Sequence, residues 1–80
     1  MKHVVYVLKS LKDGKRYIGY TEDLDRRIKD HNFGLVKSTR NRRPLEIIYK
    51  EKFDSKIEAQ NREKFFKTGK GREFLKENLL

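Results

Sequence analysis

The sequence predicts an α/β chain of the α+β kind, with a three-stranded, mostly antiparallel sheet flanked by helices in the order β-β-α-β-α-α. Three observations carry this. Two β-branched and aromatic runs, His3 to Lys9 and Arg16 to Tyr20, flank the turn pair Asp13-Gly14 and read as a hairpin. Two later stretches open with helix-start signals at Thr21 and Ser55. Only the interval between the second and third strands is long enough for a crossover helix, so the sheet is largely antiparallel.

The chain has enough apolar matter to fold, though not much more. Of 80 residues 41% are charged, yet Leu, Ile, Val and Phe number 22, above the roughly 20% below which disorder is the default. One small domain with a thin core follows, its stability near the lower end of ~5–15 kcal/mol.

In the hairpin, a two-residue turn at Asp13-Gly14 pairs residues whose numbers sum to 27. Tyr6, Leu8, Tyr17 and Gly19 then share one face, and Val5, Val7, Ile18 and Tyr20 the other. Thr21 caps the first helix, with Glu22, Asp23 and Asp25 at its positive end. Leu24, Ile28 and His31 form its apolar stripe and Gly34 ends it. Lys37 to Arg43 has no period and is a loop closed by Pro44. Leu45, Ile47 and Tyr49 alternate in a third strand. Ser55 and Glu58 form a capping box for a second helix carrying Ile57, Ala59, Phe65 and Phe66 and ending near Gly69. Arg72 to Leu79 is a short last helix with Phe74, Leu75 and Leu79 inward.

Composition excludes several classes of function. No apolar run approaches the ~20 residues that span a bilayer, and the start of the chain does not read as a secretory signal. With no Cys and two His, neither a disulfide scaffold nor a structural zinc site can be built. A cytoplasmic domain without membrane association is expected. The net charge, 21 − 12 = +9, points to a polyanionic partner, nucleic acid first, with a merely solubilising surface as the plainer alternative.

Several residues fit packing poorly. Tyr6 and Tyr17 share a face with Gly19, whose missing side chain leaves room for a close approach; core packing of two tyrosines is the simpler explanation. Arg27 and His31, at i and i+4, place a fixed charge beside a titratable imidazole, suited to a phosphate next to a proton acceptor. Glu63 falls on the inward stripe of the second helix, where a carboxylate needs either a cationic partner or a bound cation. Lys37, Arg40, Arg42 and Arg43 in the basic loop suit phosphate contacts.

Taken in order, these residues resemble the GIY-YIG nucleases. Val4-Val5-Tyr6 is similar to the first of the two motifs, and Tyr17-Ile18-Gly19 matches the second. The likeness continues through Asp23-Leu24-x-Arg26-Arg27, His31-Asn32-x-Gly34, Thr39-Arg40-x-x-Arg43-Pro44 and Ala59-x-x-x-Glu63, and is strongest to small single-domain bacterial members. The resemblance implies an endonuclease that hydrolyses phosphodiester bonds in DNA with a divalent ion, Mg²⁺ or alternatively Mn²⁺. It assigns Tyr6 to the attacking water, His31 to that water's proton, Tyr17 to the phosphate or the water, Arg27 to the scissile charge and Glu63 to the metal. A family asparagine near the C-terminus has no matched position. Specificity would come from a protein partner, self-association or nucleic-acid shape. The alternatives are a binding module of the same fold that does not cut, and an interaction domain whose charge serves solubility.

Overall fold

The computed structural model describes residues 2–79. Strands β1 (His3–Ser10), β2 (Arg16–Thr21) and β3 (Leu45–Phe53) form one antiparallel sheet in the order β2-β1-β3. Helix α1 (Leu24–Asn32) follows β2; α2 (Lys56–Phe66) and α3 (Gly69–Asn78) follow β3. The expected order β-β-α-β-α-α is the observed one.

Strand β1 is central, which explains its unbroken apolar run: Val4 to Leu8 are buried on both faces. Val5 and Val7 pack with Ala59, Phe66 and Leu75 beneath α2 and α3. Tyr6 and Leu8 pack with Leu45, Tyr17 and Leu24 on the α1 side. Ile57, one of the apolar residues carried by α2, is 70% exposed.

The hairpin register differs from expectation, but its faces do not. Tyr6 pairs with Gly19 and Leu8 with Tyr17, so opposed numbers sum to 25. Leu11 to Gly14 form a four-residue loop, closed by the Ser10 N–H donating to the Lys15 carbonyl at 2.9 Å. Ser10 Oγ also accepts from the N–H groups of Lys12 and Asp13, so the loop is wrapped around a side chain that the turn signal alone does not reveal. Displacing the register by two preserves parity, and every side chain keeps its predicted side.

Strand β3 breaks the expected alternation. Leu8 pairs with Ile47 but Val7 with Tyr49, so Ile48 is an extra residue in a bulge. Leu45 and Ile47 therefore face α1, whereas Tyr49 and Phe53 face α2 and α3.

Helix boundaries shift for local reasons. Asp23, not Thr21, caps α1, its side chain accepting from the Arg26 N–H at 3.2 Å. Thr21 sits two residues earlier, its Oγ1 accepting from the Asp23 N–H. Ser55 caps α2 as expected. Thr68 caps α3 through the Gly71 N–H, so this helix starts at Gly69 rather than Arg72. Within the basic loop, Arg40–Arg42 form a single 3₁₀ turn.

Candidate active site at the β2 edge

Gly19 on β2 has a specific reason to lack a side chain. A Cβ there would lie 2.4 Å from both Cζ and Oη of Tyr6. The close approach foreseen at Gly19 is thus made by the chain's own Tyr6, whose ring crosses the β2 backbone.

That ring is 1% exposed and its hydroxyl meets His31 Nε2 at 2.9 Å. The other imidazole nitrogen, Nδ1, lies 2.8 Å from Thr39 Oγ1. His31 and Thr39 are both fully buried, so the three groups form a closed relay drawn from β1, α1 and the basic loop. Burial keeps His31 below its ordinary pKa, and the Arg27 charge acts in the same direction. The imidazole is therefore neutral near pH 7. With the proton on Nδ1, donated to Thr39, the Nε2 lone pair accepts from the Tyr6 hydroxyl.

The same cause acts on Tyr6, whose pKa burial pushes up to about 12. The Arg27 guanidinium beside its hydroxyl opposes the rise, while Tyr17 and Glu63 add to it. Tyr17 is half-buried, packed edge-on to His31 at 5.1 Å and tilted against Tyr6 at 6.4 Å between centroids. Arg27 lines a shallow cleft of about 270 Å³ together with Thr21, Glu22, Asp23, Arg26 and Asp30. Tyr6, Tyr17, Arg27 and His31, singled out separately in the sequence, thus converge.

Glu63 stands on α2, close enough for its charge to act on Tyr6. Its carboxylate pairs with Lys67 one turn on, at 3.2 Å, and is 24% exposed. The salt-bridge alternative is realised, but with an exposed lysine that a competing ligand can displace. Among the described residues no three His, Asp or Glu side chains cluster as a metal cage. One reachable carboxylate still fits Mg²⁺, which keeps several waters and takes its remaining oxygens from substrate phosphate.

The basic loop divides. Lys37 and Arg40 are exposed. Arg42 is half-buried and structural: its Nε is 3.4 Å from Asp13 and an Nη donates to the Arg16 carbonyl at 3.4 Å. Its own carbonyl accepts from Ser10 Oγ at 2.6 Å. The Arg43 side chain turns back, Nε donating to the Arg40 carbonyl at 2.7 Å. Anchoring the loop to the hairpin holds Thr39 against His31.

Three partners escaped the sequence reading. Thr39 was visible only as part of a motif, because nothing local marks a loop threonine as buried. Asn32 bridges α1 to β3, its Oδ1 accepting from the Leu45 N–H at 3.1 Å and its Nδ2 donating to the Leu45 carbonyl at 3.3 Å. Arg62 bonds both oxygens of Glu51 and lies 4.6–4.9 Å above the rings of Phe65, Phe66 and Phe74. A charged Glu51 continuing the apolar series of β3 was the available signal.

Most of the chain has known counterparts. The GIY-YIG catalytic domain family matches it over residues 2–78. It is 47% identical over 68 residues to UPF0213 protein SSP2268 of Staphylococcus saprophyticus, covering 84% of this chain and 82% of that one. UPF0213 protein YazA of Bacillus subtilis is 48% identical over 66 residues, 81% of this chain and 66% of the relative. The solution NMR structure of UPF0213 protein BH0048 from Bacillus halodurans superposes with a TM-score of 0.59 at 42% identity, over 96% of this chain and 84% of that one. With its hairpin, its helices and its two tyrosines in this order, the chain belongs to the GIY-YIG catalytic domain family, a family of nucleases.

Proposed function

We propose that this chain is a metal-dependent endonuclease that hydrolyses phosphodiester bonds in DNA, with Tyr6, Tyr17, Arg27 and His31 as its catalytic residues and Glu63 as its metal ligand. The observation that carries the reading is the buried Tyr6–His31–Thr39 relay, with Arg27 and Tyr17 packed against it. A binding module has no use for a neutral imidazole aimed at a buried phenol.

In this mechanism the Tyr6 oxygen takes a proton from the attacking water while the Tyr6 hydroxyl gives its own to His31 Nε2. The raised pKa of Tyr6 makes its oxygen a strong base once that proton leaves. Thr39 accepts from Nδ1 and holds the ring in the receptive tautomer. Tyr17, at the half-exposed rim, orients the water or the phosphate. Arg27 sets a permanent charge against the negative charge that builds on the phosphate. Glu63 would hold the divalent ion, Mg²⁺ or Mn²⁺, which neutralises the phosphate and its leaving oxygen when bound. Lys37, Arg40 and Arg43 would carry flanking phosphates, while Arg42 braces the loop against the hairpin. The small module would draw specificity from a protein partner or from self-association.

Duplex, single-stranded and branched DNA incubated with Mg²⁺, Mn²⁺ or EDTA tests the reading. Cleavage is expected with metal only, lost by about 10²–10³ or more in Arg27→Ala and comparably in Glu63→Gln, while Glu58→Gln cuts as the parent does. A Glu63→Gln protein as fast as the parent would refute the metal assignment. Tight binding of every substrate with no cleavage of any would make the chain a binding module.

A further inference from the structure

A wide groove lies beside the site, and of its lining the mechanism above uses only Tyr17. It has a volume of about 880 Å³ and is lined by Lys15, Arg16, Lys67, Arg72 and Lys76 together with Tyr17, Ile18, Leu75 and Gly14. Five of its nine lining residues are cationic and none is acidic, although twelve Asp and Glu are spread through the chain. All five cations are exposed. They come from the hairpin, from the C-cap of α2 and from α3, segments distinct from the basic loop at 37–43.

We propose that this groove binds the sugar-phosphate backbone of one nucleic-acid strand and leads it into the site. Its cations match phosphates, and the apolar part of its lining matches the sugars between them. Two connections tie the groove to the site. Tyr17 belongs to both the groove and the ring cluster around His31. Lys67 belongs to both the groove and the pair with Glu63 at 3.2 Å. A phosphate drawn to Lys67 competes with Glu63 for the same ammonium group. Occupation of the groove thereby releases the carboxylate at the moment a substrate is present. Arg16 faces the groove, and its carbonyl accepts from Arg42, so the hairpin joins groove and basic loop into one cationic belt. The ligand class rests on the nuclease reading, but the groove and its cations do not.

The test is therefore binding without cleavage. A labelled oligonucleotide of about 20 residues, single-stranded and as its duplex, is titrated by fluorescence anisotropy in EDTA at several salt concentrations. Arg72→Ala with Lys76→Ala is compared with Lys50→Ala with Lys52→Ala, which removes the same charge from β3 at the opposite edge of the sheet. Arg72/Lys76 replacement should weaken binding to at least one form about tenfold and make the log–log salt slope shallower by about 1.5. Lys50/Lys52 replacement should cost clearly less, and both proteins should melt with the parent. Equal losses in the two double variants, or no loss from Arg72/Lys76, would overturn the groove. If binding falls as expected but the parent cuts nothing, the groove stands and the nuclease reading fails; normal cleavage with an unaffected double variant gives the reverse.

Discussion

Replacing Gly19 by Ala tests the packing on which the site depends. The new Cβ would sit 2.4 Å from Cζ and Oη of Tyr6 and 2.9 Å from Cε1. Carbon atoms prefer about 3.5–4.0 Å, so the ring must retreat by about 1 Å. It has little room, being 1% exposed among Leu8, Leu45 and His31. Overpacking of this kind costs about 1–3 kcal/mol. A retreat also stretches the 2.9 Å bond to His31, leaving a buried acceptor short of its partner at about 1–3 kcal/mol. The reduced freedom of the unfolded chain returns about 0.4–1 kcal/mol. The net expected loss is about 3 kcal/mol. In urea, with a slope near 1 kcal/mol/M for so small a chain, the midpoint should fall by about 2–3 M. Gly14→Ala is the control: φ is +73° there, but no atom lies within 4 Å, so only the left-handed backbone penalty of about 1–2 kcal/mol applies. Circular dichroism during urea titration reads both. A Gly19→Ala protein within about 0.5 kcal/mol of the parent would mean that Tyr6 is not seated across β2, and the relay to His31 would lose its basis.

Three further outcomes are expected. Because the folded pKa of His31 lies below its unfolded value of 6.5, the unfolded chain binds the extra proton, so stability falls as pH drops below about 6.5 and levels off under the folded pKa. His31→Gln should remove that dependence below about pH 6.5 in urea titrations, and an acidic limb of the cleavage profile surviving this substitution would dismiss His31 as proton acceptor. In the basic loop, Lys37→Ala with Arg40→Ala should flatten the salt dependence of nucleic-acid binding by about 1.5, whereas Arg42→Ala should chiefly lower thermal stability by about 1 kcal/mol, because Arg42 ties the loop to Asp13 and Arg16. Arg62→Met should keep much of the packing on the three phenylalanines yet strand the half-buried Glu51, lowering stability by about 2 kcal/mol without altering nucleic-acid binding; an unchanged urea midpoint would show that Tyr49 alone satisfies Glu51.

The order of the elements and the face assignments of the hairpin could both be read from the sequence, because they follow from local pattern. Parity protects such readings: the loop proved two residues longer than its turn signal suggested, and no side chain of β1 or β2 changed sides. The bulge at Ile48 had no such protection, since one extra residue reverses everything beyond it, and Tyr49 crossed to the α2–α3 face. The candidate residues were also legible as types at telling spacings, but not as partners. Only the folded chain decided that Gly19 exists for Tyr6, that Thr39 completes His31, that Arg42 braces the hairpin and that Lys67 connects Glu63 to a cationic groove. Each of those pairs brings together different elements or opposite ends of a turn. Periodicity records which side of its own element a residue occupies. Which residue meets it there depends on how the elements pack, and that is set by burial summed over the whole chain.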